Sequence, residues 1–186
     1  MPEPRFRVAS AADAEAVAHL HADSWRRHYR GAYADTFLDG DVLEDRLATW
    51  KGRLREREPL RCTLLAEDGG LVGFANTYLR EDARWGSLLD NLHVAATHQR
   101  RGIGSRLLSL TAEAIVERSG GTERGLYLWV LEQNARARAF YEALGASLVA
   151  GERVTEPGGV PGRLQGAPLK LRYAWADAAV LVRTAS

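Results

Sequence analysis

The feature that most constrains this chain is a strand-helix-strand-helix series between residues 87 and 144. Residues 87–94 form a run of strand type, and after a polar connection Gly102-Ile103-Gly104 opens a helix to about residue 118. Ile103, Leu107, Leu110 and Ala114 supply its apolar stripe. Gly120-Gly121 breaks that helix, residues 126–130 are a compact apolar strand, and residues 134–144 are a second helix closed by Gly145. A strand that re-enters its sheet through a helix runs parallel to the strand it left, so the centre of this sheet holds parallel neighbours.

The flanks read differently. Residues 62–66 and 71–78, joined by Asp68-Gly69-Gly70, have the pattern of an antiparallel hairpin. Residues 6–9 alternate as a short strand, and Ser10-Ala11-Ala12-Asp13 matches a capping box opening an Ala-rich helix to about Tyr29. Residues 41–57 carry Val42, Leu43, Leu47 and Trp50 at helical spacing, with Pro59 as the stop. Leu148-Val149 and residues 169–175 add late antiparallel strands, and the Gly- and Pro-rich residues 156–168 form the loop between them. The class is α/β with a mixed sheet. A length of 186 residues is about 1.2 domains at roughly 150 residues each, so one domain is expected over residues 1–186, with its core at 5–175 and a tail at 176–186.

Charge excludes some partners. Lys and Arg number 25 against 24 for Asp and Glu, which leaves no basic excess for nucleic acid or an anionic membrane. No apolar run approaches the roughly 20 residues of a membrane span, no signal-peptide pattern opens the chain, and the single Cys62 forms no internal disulfide; a cytoplasmic setting is expected. Cys62 reads as a small buried residue, the five histidines lack metal-ligand spacing, and Arg53, Arg55 and Arg57, interleaved with glutamates, read as a solvated face.

The stretch from Leu92 to Ser105 joins a strand end, a turn and a helix start. Glycines there let a ligand approach the backbone, the first helical N–H groups are free, and Arg100 and Arg101 add positive charge, which together favour a pyrophosphate. A Walker A loop is excluded because no Gly-Lys-Ser/Thr follows, and a dinucleotide fingerprint fails because Leu107 stands at the third glycine position. About thirty residues on, Asn134, Ala137, Arg138 and Tyr141 share one side of a helix.

The run Gln99-x-x-Gly102-x-Gly104, followed by Asn134-x-x-Ala137-x-x-Phe140-Tyr141-x-x-x-Gly145, resembles the GCN5-related N-acetyltransferase (GNAT) superfamily. The resemblance implies a mixed sheet of six to seven strands flanked by about four helices, with two central parallel strands splayed around acetyl-coenzyme A as co-substrate. It also implies backbone contacts to the coenzyme arm from Leu92, His93 and Val94, and a pyrophosphate held by the Arg101, Gly102, Ile103, Gly104 and Ser105 backbone. Gln99 and Arg100 complete that loop, Asn134 and Ala137 meet the arm, and Phe140 and Tyr141 line the channel near the sulfur.

Acyl transfer to an amine needs a neutral amine, a stabilised oxyanion and a proton for the departing thiolate. Tyr141 is the candidate acid, against a modest uphill gradient between a phenol near 10 and a thiol near 8.5. A backbone N–H at Leu92 or His93 is the oxyanion candidate. Some relatives carry a glutamate base on the central strand where this chain has Leu88. Asp90, placed by strand alternation on the face of Leu88 and Leu92, is the substitute candidate, and alternation turns His93 to the other face. Trp25, His28 and Tyr29 lie on neighbouring turns before Gly31. Trp25, Tyr29, Tyr33, Asn76 and Tyr78, and further Trp85, are acceptor-side candidates, with core packing the leading role for Trp25. The resulting expectation is transfer of an acetyl group from acetyl-coenzyme A to a primary amine of a small molecule or peptide, directly in a ternary complex. The alternative is a catalytically silent acyl-coenzyme A-binding module. A homodimer through the C-terminal strands and tail is also compatible with the sequence.

Overall fold

The computed structural model describes residues 3–56, 58–118 and 124–182. Seven strands, β1 (Arg5–Val8), β2 (Arg61–Glu67), β3 (Leu71–Asp82), β4 (Gly86–Val94), β5 (Leu126–Leu131), β6 (Ser147–Arg153) and β7 (Leu169–Trp175), form one sheet in the order β1-β2-β3-β4-β5-β7-β6. All neighbours are antiparallel except β4 and β5, the parallel pair expected from the crossover through α4 (Ile103–Arg118). Around the sheet lie α1 (Ala14–His28), α2 (Asp35–Asp39), α3 (Val42–Arg55), α4 and α5 (Ala135–Ala143).

Each face owes its cover to one pattern in the sequence. Val17 and Ala18 of α1, with Trp50 of α3, pack on Leu65 of β2 and Phe74 of β3, all nearly inaccessible to water. On the opposite face Ile103, Leu107, Leu108, Ala112 and Ile115 of α4 meet Leu89, Leu126, Leu128 and Tyr173. The buried stripe of α4 therefore runs through Leu108, Thr111 and Ile115, while Leu110 and Ala114 sit at its margin. Because the helix is covered on a broad arc, spacing alone does not locate the centre of its stripe. The Ser10 N–H and hydroxyl both donate to the Asp13 carboxylate, at 2.7 and 2.9 Å, so the capping interaction expected there forms at the entry to α1.

Helix α2 is too short for periodicity to reveal; it forms because Phe37 and Leu38 bury against Trp25, Tyr33 and Leu131. The loop between β6 and β7 folds back over this cluster, where the Ala34 N–H donates to Arg163 O at 2.9 Å and the Gln165 N–H to Ala32 O at 2.9 Å. The tail is not spare surface: Ala178 and Leu181 are buried against the α4 cluster, which leaves Val180 and Val182 exposed. Gly120-Gly121, Arg57 and the last four residues lie outside the described residues. No helix among the described residues is long and apolar enough to cross a membrane.

Candidate active site

Strands β4 and β5 pair only at one end, where Ser87, Leu88 and Leu89 stand opposite Leu126, Tyr127 and Leu128. A glycine contact holds this end shut, since a Cβ on Gly125 would lie 2.6 Å from Trp85 O and one on Gly86 would strike Gly125. Beyond Leu89 and Leu128 the strands part, and a cavity of about 390 Å³ occupies the gap. Leu92, Val94, Gly104, Ser105, Ala137, Phe140 and Tyr141 line it on the α4 face. Ser24, His28, Tyr29, Asp90, Asn91, His93 and Trp129 complete it on the α1 side, so one space passes from one face of the sheet to the other.

At the α4 end, Arg100 (φ 63°) and Gly102 (φ 79°) both take left-handed backbone, which a glycine at 102 adopts without strain. The first intrahelical bond there runs from Arg106 N to Gly102 O at 2.9 Å, which leaves the earlier N–H groups available to an anion. The Gln99 side-chain amide donates to Val94 O at 3.3 Å and ties the loop to β4. Arg100, Gly102, Gly104 and Ser105 line the cavity; Arg101 is exposed and off its wall, and the Ile103 side chain is buried in the core.

Helix α5 forms the other wall. Asn134 caps it, its Oδ1 accepting the Ala137 N–H at 3.2 Å, and this structural duty accounts for the residue while it also faces the cavity. Arg138 does not share that face, since it donates to Glu132 O at 3.0 Å and to the Tyr173 hydroxyl at 3.3 Å. Tyr141 is 8 % exposed, and its hydroxyl has no hydrogen-bond partner among the described residues. Burial pushes this phenol above its ordinary range, reinforced by nearby Tyr29, so its proton is held at any working pH.

Asp90 departs from the alternation expected of it. Asn76 pairs with Asn91 and Thr77 with Leu89, so Asp90 is the extra residue of a β-bulge. The bulge turns Asp90 and Asn91 together toward α3, away from Leu92, where Arg53 reaches them at 2.8 and 3.2 Å. Asn76 Nδ2 adds a 3.4 Å contact to the same carboxylate. Arg53 is consequently not part of a solvated face; it lies over Trp50 and Tyr78 and clamps the bulge, whereas Arg55 is exposed as expected.

His93 does turn to the α1 face, where its Nδ1 is 2.7 Å from Ser24 Oγ and its ring packs on His21 and Phe74. Burial, and then the positive fields of His28 and Arg46, push it down to about 3, which makes it a neutral and weak base. Of the acceptor-side candidates Tyr29 lines the cavity, with its hydroxyl pushed up to about 12 mainly by burial. Trp25 and Tyr33 are instead core, Asn76 is fully buried between Thr63 and Asp90, and Tyr78 sits beside Arg53; none of these four lines the cavity. Ser24, Asn91, Trp129 and Arg136 line it although sequence reasoning does not single them out. Trp129 is detectable in principle, because it alternates with Leu128 and Val130, whereas the bulge that exposes Asn91 leaves no mark in the residue order. Cys62 is buried, which raises its thiol, and no cluster of three or more His, Cys, Asp or Glu among the described residues is arranged to hold a metal ion.

Comparison with known proteins agrees with this geometry. The acetyltransferase (GNAT) family matches residues 15–146. An uncharacterized N-acetyltransferase of Bacillus subtilis, YuaI, is 28 % identical over 148 residues, 77 % of this chain and 80 % of that protein. The probable N-acetyltransferase Rv2775 of Mycobacterium tuberculosis is 30 % identical over 148 residues, 74 % of this chain and 76 % of that one. Among solved structures, the PaiA N-acetyltransferase of Thermoplasma acidophilum in complex with coenzyme A superposes with a TM-score of 0.69 at 20 % identity, covering 94 % of this chain and all of that one. A splayed parallel pair, a left-handed loop opening α4 and a tyrosine on the facing helix thus coincide with matching sequence over most of the length, and the chain belongs to the acetyltransferase (GNAT) family.

Proposed function

We propose that this protein transfers an acetyl group from acetyl-coenzyme A to a primary amine of a small molecule or peptide, directly, with both substrates bound at once. The observation that carries the reading is the cavity crossing the sheet between β4 and β5, which lets a donor on the α4 side and an acceptor on the α1 side meet in the gap. The residues fit the donor. Free N–H groups at the start of α4 and the Arg100 guanidinium suit a pyrophosphate, and the unpaired edge of β4 beyond Leu89 suits an amide-bearing arm. When bound, acetyl-coenzyme A supplies a thioester-activated acyl group.

The chain's own residues supply position and protons. A backbone N–H of β4, at Leu92 or His93, faces the developing oxyanion. The Tyr141 hydroxyl, with no competing partner among the described residues, hydrogen-bonds the sulfur as it leaves and passes it a proton against its raised affinity, recovering one by way of water from the amine nitrogen as the amide forms. Of the titratable side chains on the acceptor side of the cavity, Asp90 is engaged by Arg53 and His93 is neutral and weakly basic, whereas His28, without a hydrogen-bond partner among the described residues, is held below its ordinary range mainly by burial and stands as a neutral imidazole. The amine therefore arrives neutral, or loses its proton to His28 or to water held near Asp90 and Asn91. Asn134, Ala137 and Phe140 bound the arm, with Gly102 and Gly104 keeping the pyrophosphate site open.

Calorimetric titration with acetyl-coenzyme A and coenzyme A, on the wild type and on a Gly102→Glu, Gly104→Glu variant, tests this. Expected is binding by the wild type that the variant loses, followed by amine-dependent thiol release. Absence of wild-type binding overturns the reading; binding without thiol release from any amine of a broad panel leaves a silent acyl-coenzyme A-binding module.

A further inference from the structure

On the acceptor face, beside the closed end of the β4–β5 pair and separated from the cavity by the Trp129 ring, stands a guanidinium with no counter-ion among the described residues. Strand β5 sends Leu126, Leu128 and Val130 to the α4 core, so Tyr127 and Trp129 point the other way. Arg172 of β7 pairs directly with Trp129 and shares its face. Its guanidinium carbon lies 4.5 Å from the Trp129 ring centre, 5.2 Å from Tyr127 and 5.7 Å from Trp85. These rings shield the cation and fix its plane. Its Nε is buried with no hydrogen-bond partner. Among nearby cations, Lys170, also over Trp129, pairs with Glu152 at 3.0 Å and Arg53 pairs with Asp90 at 2.8 Å; Arg136 lines the cavity without an ion pair among the described residues but is exposed and has no aromatic cage. Asp82 feels the field of Arg172 but spends its Oδ1 on the Arg84 and Trp85 N–H groups, and no carboxylate among the described residues lies within ion-pair distance of Arg172.

A partly buried arginine that is walled by aromatics, preorganised and unpaired is suited to a planar anion from outside. Trp129 both carries Arg172 and lines the cavity, so that anion would belong to the acceptor. We infer that Arg172 is a specificity-determining residue that binds a carboxylate on the amine acceptor, which makes the acceptor class amino acids or peptides whose carboxylate lies several bonds from the reacting amine. Strand β7 lies one strand spacing, about 4.8 Å, beyond β5, so amine and carboxylate are separated by several bonds. The inference rests on the transfer reading above for its site, but the carboxylate contact is separately measurable.

The test compares amines matched in length and basicity, β-alanine with n-propylamine and γ-aminobutyrate with n-butylamine, by thiol release at saturating acetyl-coenzyme A. Expected is a kcat/KM advantage of about ten-fold or more for the amino acids, the effect of one charged hydrogen-bonded contact. Arg172→Met should bring each pair to near parity, and Arg172→Lys should keep a reduced preference because an ammonium lacks the fork. Parity in the wild type, which needs no variant to fold, overturns the inference and leaves the transferase standing, as does a preference that survives Arg172→Met. If no amine is acetylated, tryptophan fluorescence during γ-aminobutyrate titration decides. Quenching in the wild type that is lost in Arg172→Met supports the carboxylate site without the transfer; its absence overturns the site.

Discussion

Tyr141 illustrates what one residue contributes and what its spacing hides. Its place after Phe140 and before Gly145 makes it a candidate, but only the packed structure shows that its hydroxyl is without a partner among the described residues and that burial strengthens the O–H against ionisation. A group in that state is a hydrogen-bond donor and never a base at neutral pH. Tyr141→Phe keeps the ring that packs against Phe140 and Trp175 and deletes the donor alone. Steady-state kinetics should show kcat lower by about ten- to a hundred-fold, in the range of general-acid contributions, with the dissociation constant for acetyl-coenzyme A little changed. An unchanged kcat would remove Tyr141 from the chemistry. At the same scale, Asp90 stands on the face opposite to the one that alternation predicts, because a single inserted residue in β4 reverses the pattern on which that expectation rests.

Among the elements, those with long periodic or alternating patterns are legible in the sequence: the hairpin, the crossover helix and the parallel centre all form where patterning places them. What stays hidden depends on contacts between distant segments. Helix α2 exists through tertiary burial of Phe37 and Leu38, and Arg53 leaves the solvated face because the β4 bulge offers it a carboxylate 37 residues away. The wedge shape of the β4–β5 pair has the same origin. Its closed end relies on Gly86 and Gly125 touching through their backbones, and its open end is the cavity between the strands. A methyl at Gly125 must push on the Trp85 carbonyl, so Gly125→Ala should lower stability by about 1–3 kcal/mol through overpacking, measured by urea denaturation. A neutral result would mean that the closed end yields without cost and does not set the splay.

For the whole molecule, the two buried histidines tie stability to pH. His21 is fully buried, accepts the Trp50 indole N–H at 3.0 Å, and is held well below its ordinary range by burial; His93, its ring centre 4.7 Å away, is pushed down to about 3 for the same main reason. Unfolded, each would titrate near 6.5, so below that pH the unfolded chain binds protons that the folded chain refuses. Stability therefore rises with pH through this interval, is complete above about 6.5, and drains away as pH falls from there toward about 3. The pair sits where α1, α3 and β4 meet, His93 on the cavity wall and His21 behind it, so protonating either ring forces a charge into the packing that positions Ser24 and His93 at the cavity. Thermal unfolding followed from pH 7.5 to 4.5 should show a falling midpoint across this window. His93→Gln, which can keep a hydrogen bond to Ser24 and has no proton to gain, should flatten the slope relative to wild type. An equal slope in the variant would assign acid sensitivity to other groups and leave the histidine pair a packing feature alone.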